Sequence, residues 1–125
     1  MLTGNSKDEL EVVAVIEQYI ASYIDADIAA LRNVFASDAV MNGYVGERLV
    51  EGTPERFIQQ VAANPPLASS GAALEYHIEH VSITHNAASV VLRETGFGPF
   101  NFTDYMHLLK RDGVWKIISK TFTTF

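Results

Sequence analysis

There is no cysteine in this chain. That excludes disulfide bonds, thiolate nucleophiles and thiolate-held metals, and it leaves the redox compartment open. Positive charge is scarce as well: nine Lys and Arg face fifteen Asp and Glu, for a formal charge of −6 and a pI near 5.0. With no Lys/Arg cluster and no glycine-rich phosphate loop, a nucleic-acid partner is not expected. No apolar run approaches the ~20 residues that span a bilayer, so no membrane partner is expected either. The first residues, Met1 to Lys7, lack the basic-then-apolar order of a signal peptide, and a cytoplasmic location is the expectation. A Gly-x-Ser-x-Gly nucleophile motif is also missing.

What the chain does have is apolar and aromatic bulk. Hydrophobic residues make up 48% of its 125 positions, and seven Phe, five Tyr and one Trp supply walls for a core or a cavity. That length suits a single domain over residues 1–125. From Ser6 to about Ile24 the pattern is helical, with Ser6 as N-cap and Asp8 and Glu9 in the first turn, where the helix dipole favours acid. Leu10, Val13, Ile16, Ile20 and Tyr23 recur at helical spacing, with Val12, Tyr19 and Ile24 beside them. Asp27 caps a second helix carrying Ile28, Leu31, Val34 and Phe35, which ends near Ser37. Short strands follow over Asp38–Tyr44 and Gly46–Gly52. Thr53-Pro54-Glu55 starts a third helix with Phe57, Ile58 and Val61 on its apolar side, and Pro65-Pro66 stops it.

Past a loop over Pro65–Gly71 the chain reads as strand. The expected strands are Glu75–Thr84, Ala88–Phe97, Phe102–Lys110 and Val114–Phe122. Turns fall at His85-Asn86 and Asp112-Gly113, with a break over Gly96-Phe97-Gly98-Pro99. Helices followed by a strand-only half predict an α+β fold with an antiparallel sheet.

Three stretches occur in one order over nearly the whole chain. They are Tyr23-Ile24-Asp25-Ala26-Asp27-Ile28-Ala29-Ala30-Leu31 with Phe35-Ala36-Ser37-Asp38-Ala39-Val40, then Gly52-Thr53-Pro54-Glu55, then Thr103 to Lys110 with Asp112-Gly113-Val114-Trp115-Lys116-Ile117. Together they resemble the nuclear transport factor two-like superfamily, in particular its SnoaL-like and putative lumazine-binding branch. The resemblance implies a cone-shaped α+β fold, three helices on a strongly curved antiparallel sheet enclosing a pocket, commonly as a homodimer. Some members are enzymes acting on steroids or polyketides without a cofactor, and others bind small molecules or proteins, so fold does not give reaction. No cofactor is expected here.

A narrower similarity, to ketosteroid isomerase, bears on the site. That enzyme's oxyanion hole joins a helix-one tyrosine, placed eight residues before the Asp that opens helix two, to an aspartic acid in an Asp-x-Met context. The matching positions are Tyr19, eight before Asp27, and Asp104 of Asp104-Tyr105-Met106. The resemblance implies that Asp104, walled by aromatic rings, stays protonated and donates a hydrogen bond beside Tyr19. The enzyme's general base lies five residues past an Asp-Ala pair; counted from Asp38-Ala39, that position is Gly43, so the base is missing. In the plainer reading Tyr19 is a core residue, and Asp104 faces solvent or pairs with Lys120, as it would if Lys110 lay opposite Val114.

The remaining candidates are lining and histidine. Tyr23, Met41, Tyr44, Phe57, Phe102 and Met106 are the expected ligand-binding walls beside Tyr19 and Asp104, and Trp115 is expected on helix one or across its hairpin. His77 and His80, three apart in a strand, should face opposite ways, His85 sits at a turn and His107 is isolated, so no metal site is expected. His107 is a candidate general base if a bulge brings its side chain to the face of Asp104. Three functions compete. One is a protein binding a small apolar or ring-containing ligand with a hydrogen-bonding oxygen. The second is a cofactor-free isomerase, dehydratase or cyclase using Tyr19, Asp104 and His107. The third is a non-catalytic interaction or dimerisation domain.

Overall fold

The computed structural model describes residues 6–97 and 99–125, with the backbone alone for Ser6. The expected Ser6 cap, the opening Met1–Asn5 stretch and Gly98 of the expected break lie outside the described residues. Helix α1 spans Ser6–Asp25. Its buried stripe is Asp8, Val12, Ile16, Tyr19 and Ile20, whereas Leu10, expected on that stripe, is 70% exposed. The buried acid has a reason. Asp8 Oδ1 accepts from Lys110 Nζ at 2.9 Å and from Trp115 Nε1 at 3.1 Å, which fastens the start of α1 to the last hairpin. Trp115 therefore meets helix one.

Helix α2 is Ile28–Asn33, opened by Asp27, whose Oδ1 accepts from Ala30 N at 3.3 Å. It is shorter than its spacing predicts. Phe35 leaves it to begin strand β1 (Phe35–Val45), and Ile117 N donates to Val34 O at 2.9 Å. Pairing with a distant strand overrides a local helical pattern here. Strand β2 (Arg48–Val50) folds back on β1, and α3 (Glu55–Ala63) follows. Pro54 takes the cap position of α3, while Thr53 Oγ1 accepts from Glu55 N at 3.4 Å. The Pro65–Gly71 connection holds one 3-10 turn, Leu67–Ser69.

Strands β3 (Glu75–Thr84), β4 (Ala87–Thr95), β5 (Phe102–Arg111) and β6 (Val114–Thr124) complete one sheet of order β2-β1-β6-β5-β4-β3. Every pairing is antiparallel except β1 with β6, which run parallel, so the sheet is mixed. The sheet is curled but not closed, with β2 and β3 as its edges. The three helices pack on its inner face through Val12, Ile16, Leu31 and Ile58 against Val90, Leu92, Met106 and Ile117. This is the cone-shaped α+β architecture that the resemblance implied. Among the described residues no helix is long and apolar enough to cross a membrane.

Bulges decide which side chains face inward. Between β5 and β6 the pairing steps from Leu108↔Ile117 to His107↔Ser119, so Ile118 is an extra residue. Before it Trp115 and Ile117 are buried; after it Lys120 and Phe122 are. Strict alternation would have turned Ser119 and Thr121 inward instead. In β3 the extra residue is Glu79, which sets His77 opposite Arg93 and His80 opposite Val91. Both histidines therefore share the outer face, a correction to the opposite-face expectation.

Gly43 lies opposite Phe122 in the β1–β6 pair, and a Cβ there would meet the Phe122 carbonyl oxygen and come 2.6 Å from its ring. Gly43→Ala is expected to lower the unfolding free energy by about 1–3 kcal/mol through overpacking. Urea denaturation checks it, and an unchanged midpoint would show that the two strands can part without loss.

Candidate functional site

Between α1, α3 and the inner face of the sheet lies a cavity of ≈ 150 Å³. Tyr23, Met41, Phe57, Phe102 and Phe122 form its apolar walls, and Glu94 and Lys120 also line it. Arg48, Glu51 and Arg56 contribute charge from β2, the residue after it and α3.

Lys120 is the centre of the polar part, and it is only 4% exposed. Its Nζ donates to the Tyr19 hydroxyl at 2.6 Å and forms an ion pair with Asp104 Oδ2 at 3.9 Å. The same nitrogen sits 4.4 Å from the ring centre of Phe57, 5.0 Å from that of Tyr19 and 5.1 Å from that of Phe122. Ring faces attract an ammonium group that has lost its water. The ion pair is diagonal across the strands. Asp104 lies opposite Phe122 and Lys120 opposite Met106, because Lys110 pairs with Trp115 and not with Val114 and the extra residue Ile118 moves the register by one more.

Glu94, on β4, is the second buried acid at 2% exposure. Burial pushes its carboxyl well above the ordinary carboxylate range, the negative charge of Asp104 and a hydrogen bond with Asp104 push it further, and Lys120 pulls the other way. Were both acids ionised, Glu94 Oε2 and both Asp104 oxygens would be buried with no hydrogen bond, the Lys120 ammonium standing 3.9 Å from Asp104 Oδ2. A proton held by Glu94 supplies the missing hydrogen bond. Burial first, then the charges of Glu94 and Asp104, also raise the Tyr19 and Tyr23 hydroxyls above the usual phenol range. Both phenols keep their protons at neutral pH.

The residues singled out by sequence separate into three groups. Tyr23, Met41, Phe57 and Phe102 line the cavity. Tyr19 and Asp104 lie behind its wall at 0% exposure and meet through Lys120, while Met106, also at 0%, is core. Tyr44 and His107 are elsewhere. Tyr44 turns outward between the inward Gly43 and Val45 and is 45% exposed. His107 turns outward between the buried Met106 and Leu108, because the extra residue of that hairpin falls in β6, so it faces away from Asp104. The general-base position at Gly43 is filled by Phe122, which leaves no room for a carboxylate.

Glu94 is the site residue that sequence reasoning passed over, whereas Lys120 was foreseen only as a cross-strand partner of Asp104. Glu94 had a signal: it continues the buried period-two series Ala88, Val90, Leu92. The Lys120–Asp104 pairing holds, but not through the register that predicted it, because the bulge at Ile118 shifts the strand. Among the described residues no group of three or more His, Cys, Asp or Glu is placed to hold a metal.

Comparison with known proteins agrees with this geometry at the level of fold. The family described as "Putative lumazine-binding" matches residues 7–123. Aldolase FrzH from Cladobotryum sp. is 23% identical over 116 residues, covering 91% of this chain and 89% of its own. An NTF2-like protein of unknown function from Methylobacillus flagellatus KT superposes with a TM-score of 0.88 at 23% identity, over 98% of this chain and 96% of that one. Another NTF2-like protein of unknown function, from Shewanella baltica OS155, gives 0.82 at 24% identity over 99% and 98%.

Glu94 binds its proton more tightly in the folded state than in the unfolded one. Its contribution to stability is therefore complete below the ordinary value of 4.5 and is lost as pH rises from there through the folded value. For one proton the slope reaches about 1.4 kcal/mol per pH unit. Urea unfolding across pH should show the wild type losing more stability than Glu94→Gln as pH rises, whereas parallel profiles would place the proton elsewhere.

Proposed function

This chain belongs to the family described as "Putative lumazine-binding", and from that premise we propose that it binds a small apolar or ring-containing molecule with a hydrogen-bonding oxygen. Residues 1–125 are read as one domain built around that task. The observation that carries the reading is the make-up of the cavity: rings of Tyr23, Phe57, Phe102 and Phe122 on the walls, with Lys120 and Glu94 as the inner polar groups. Ligand sites commonly have this composition, apolar area for affinity and a few placed polar groups for orientation. A volume of ≈ 150 Å³ suits a single ring. Of the three ammonium protons on Lys120, one goes to Tyr19, which leaves donors for a ligand oxygen.

Glu94 favours a second reading, cofactor-free catalysis of the isomerase, dehydratase or cyclase kind. It brings from β4 a carboxyl that holds a proton beside Asp104, Lys120 and the cavity, a general acid in a site whose base position, Gly43, carries no carboxylate. The Cladobotryum relative, named an aldolase, also favours an enzymatic reading. Exposed Val40, Tyr44, Leu49 and Tyr105 on the outer face of the sheet support a homodimer through that face. Light scattering checks it, with a mass twice 13.8 kDa expected.

Thermal denaturation with benzyl alcohol and with lumazine tests the pocket. An occupant is expected to stabilise the fold by up to about 2.7 kcal/mol as its concentration nears 100 times Kd. Phe102→Trp, which fills the cavity, should remove the response. If neither compound raises the melting temperature of the wild type, the pocket is not a site for ring compounds.

A further inference from the structure

Resting on that pocket, we propose that Lys120 forms an imine with the carbonyl carbon of an aldehyde or ketone held in the cavity, so that the occupants are small ring-containing carbonyl compounds. A lysine is a carbonyl nucleophile when it is kept from bulk water and has groups beside it to take and return protons. Lys120 meets each condition. Its side chain lines the cavity but is 4% exposed, so its amine meets what enters the cavity and little else. Three rings surround the nitrogen, and the Tyr19 hydroxyl stands at 2.6 Å. Asp104 is 3.9 Å away and Glu94 lies against Asp104 with its own proton.

Other lysines are placed differently. Lys110 Nζ is taken by Asp8 at 2.9 Å, and Lys116 Nζ donates to Asn33 Oδ1 at 3.2 Å. Lys7 is exposed on the first turn of α1. None of the three lines the cavity.

The step balances within these groups. Asp104 takes a proton from the ammonium, and the freed lone pair attacks the carbonyl carbon. As the C–N bond forms, the carbonyl π pair moves to oxygen, which takes the proton held by Glu94. The added nitrogen passes a second proton back to Glu94. The nitrogen lone pair then expels the hydroxyl group, which leaves as water with the proton from Asp104, and the product is a protonated imine. Overall the nitrogen loses two protons and the departing water carries both on the former carbonyl oxygen. Charge is unchanged, and no oxidant, reductant or metal enters.

Benzaldehyde with sodium cyanoborohydride tests the proposal on the intact protein, since hydride addition to the imine carbon fixes one benzyl group on the reacting nitrogen. Peptide mapping by mass spectrometry should find it on Lys120, at a rate at least about tenfold above Lys7, Lys110 and Lys116, as an activated amine requires. Excess benzyl alcohol, which has no carbonyl, should slow that labelling. Lys120→Arg, checked for native circular dichroism, should lose the fast label; its persistence in the folded variant would overturn the proposal. So would equal labelling of all four lysines in the wild type, a measurement that needs no variant. If benzyl alcohol raises the melting temperature while Lys120 stays unlabelled, the pocket stands and the imine falls. If neither happens, both fall.

Discussion

One extra residue in β6 determines the character of the interior. The bulge at Ile118 reverses the side-chain alternation, so that Lys120 and not Ser119 turns toward the core. A buried ammonium cannot stay unpartnered, because removing a charge from water costs several kcal/mol per ion. The surroundings answer that demand in layers. Tyr19 accepts one hydrogen bond, Asp104 supplies a counter-charge, and three ring faces supply a diffuse negative surface. Each of these residues comes from a different element, so the position of Lys120 ties α1, α3, β5 and β6 to one point.

The second acid follows from the first. One cation and one carboxylate already neutralise the interior, and an ionised Glu94 would add an unbalanced charge beside Asp104. The favourable state keeps a proton on Glu94, as the direction of its shift indicates. A charged pair next to a protonated acid is a proton store with two positions, set against an apolar cavity. That is unusual in a region whose only task is packing, where an apolar replacement of the whole group would commonly be neutral or stabilising. The polar cluster is therefore not what packing requires, and the hydrophobic contacts of Val12, Ile16, Leu92 and Ile117 hold the fold.

Much of this was legible in the sequence, and the failures have a common cause. Local signals read true where the physics is local: the Asp27 cap, the Asp112-Gly113 turn with both residues at positive φ, and the four long strands of the second half. Signals that rest on uninterrupted alternation read false at bulges. His77 and His80 were set on opposite faces because Glu79 was counted as an ordinary strand residue. Phe35 and the parallel β1–β6 pairing were missed for another reason, since the partner lies some eighty residues away, at Ile117. Tyr19 and Asp104 were found by spacing relative to a known family, and Lys120 as a partner of Asp104 alone, not as the group that joins it to Tyr19.

That lysine changes what Tyr19 and Asp104 can do. In the ketosteroid isomerase arrangement implied by the resemblance, a tyrosine and a protonated aspartic acid act as two neutral donors to one oxygen. Here Tyr19 accepts from Lys120, and Asp104 is the partner of its charge, so neither is free for that task in the same way. The donors nearest the cavity are the ammonium and the Glu94 proton, both of which line it. A carbonyl oxygen entering between the rings would meet a positive charge and an acid where the isomerase offers two hydroxyl protons. Charge at that point stabilises a developing oxyanion more strongly than neutral donors do. The cavity thus offers charged groups where the isomerase arrangement implied by the resemblance offers neutral ones.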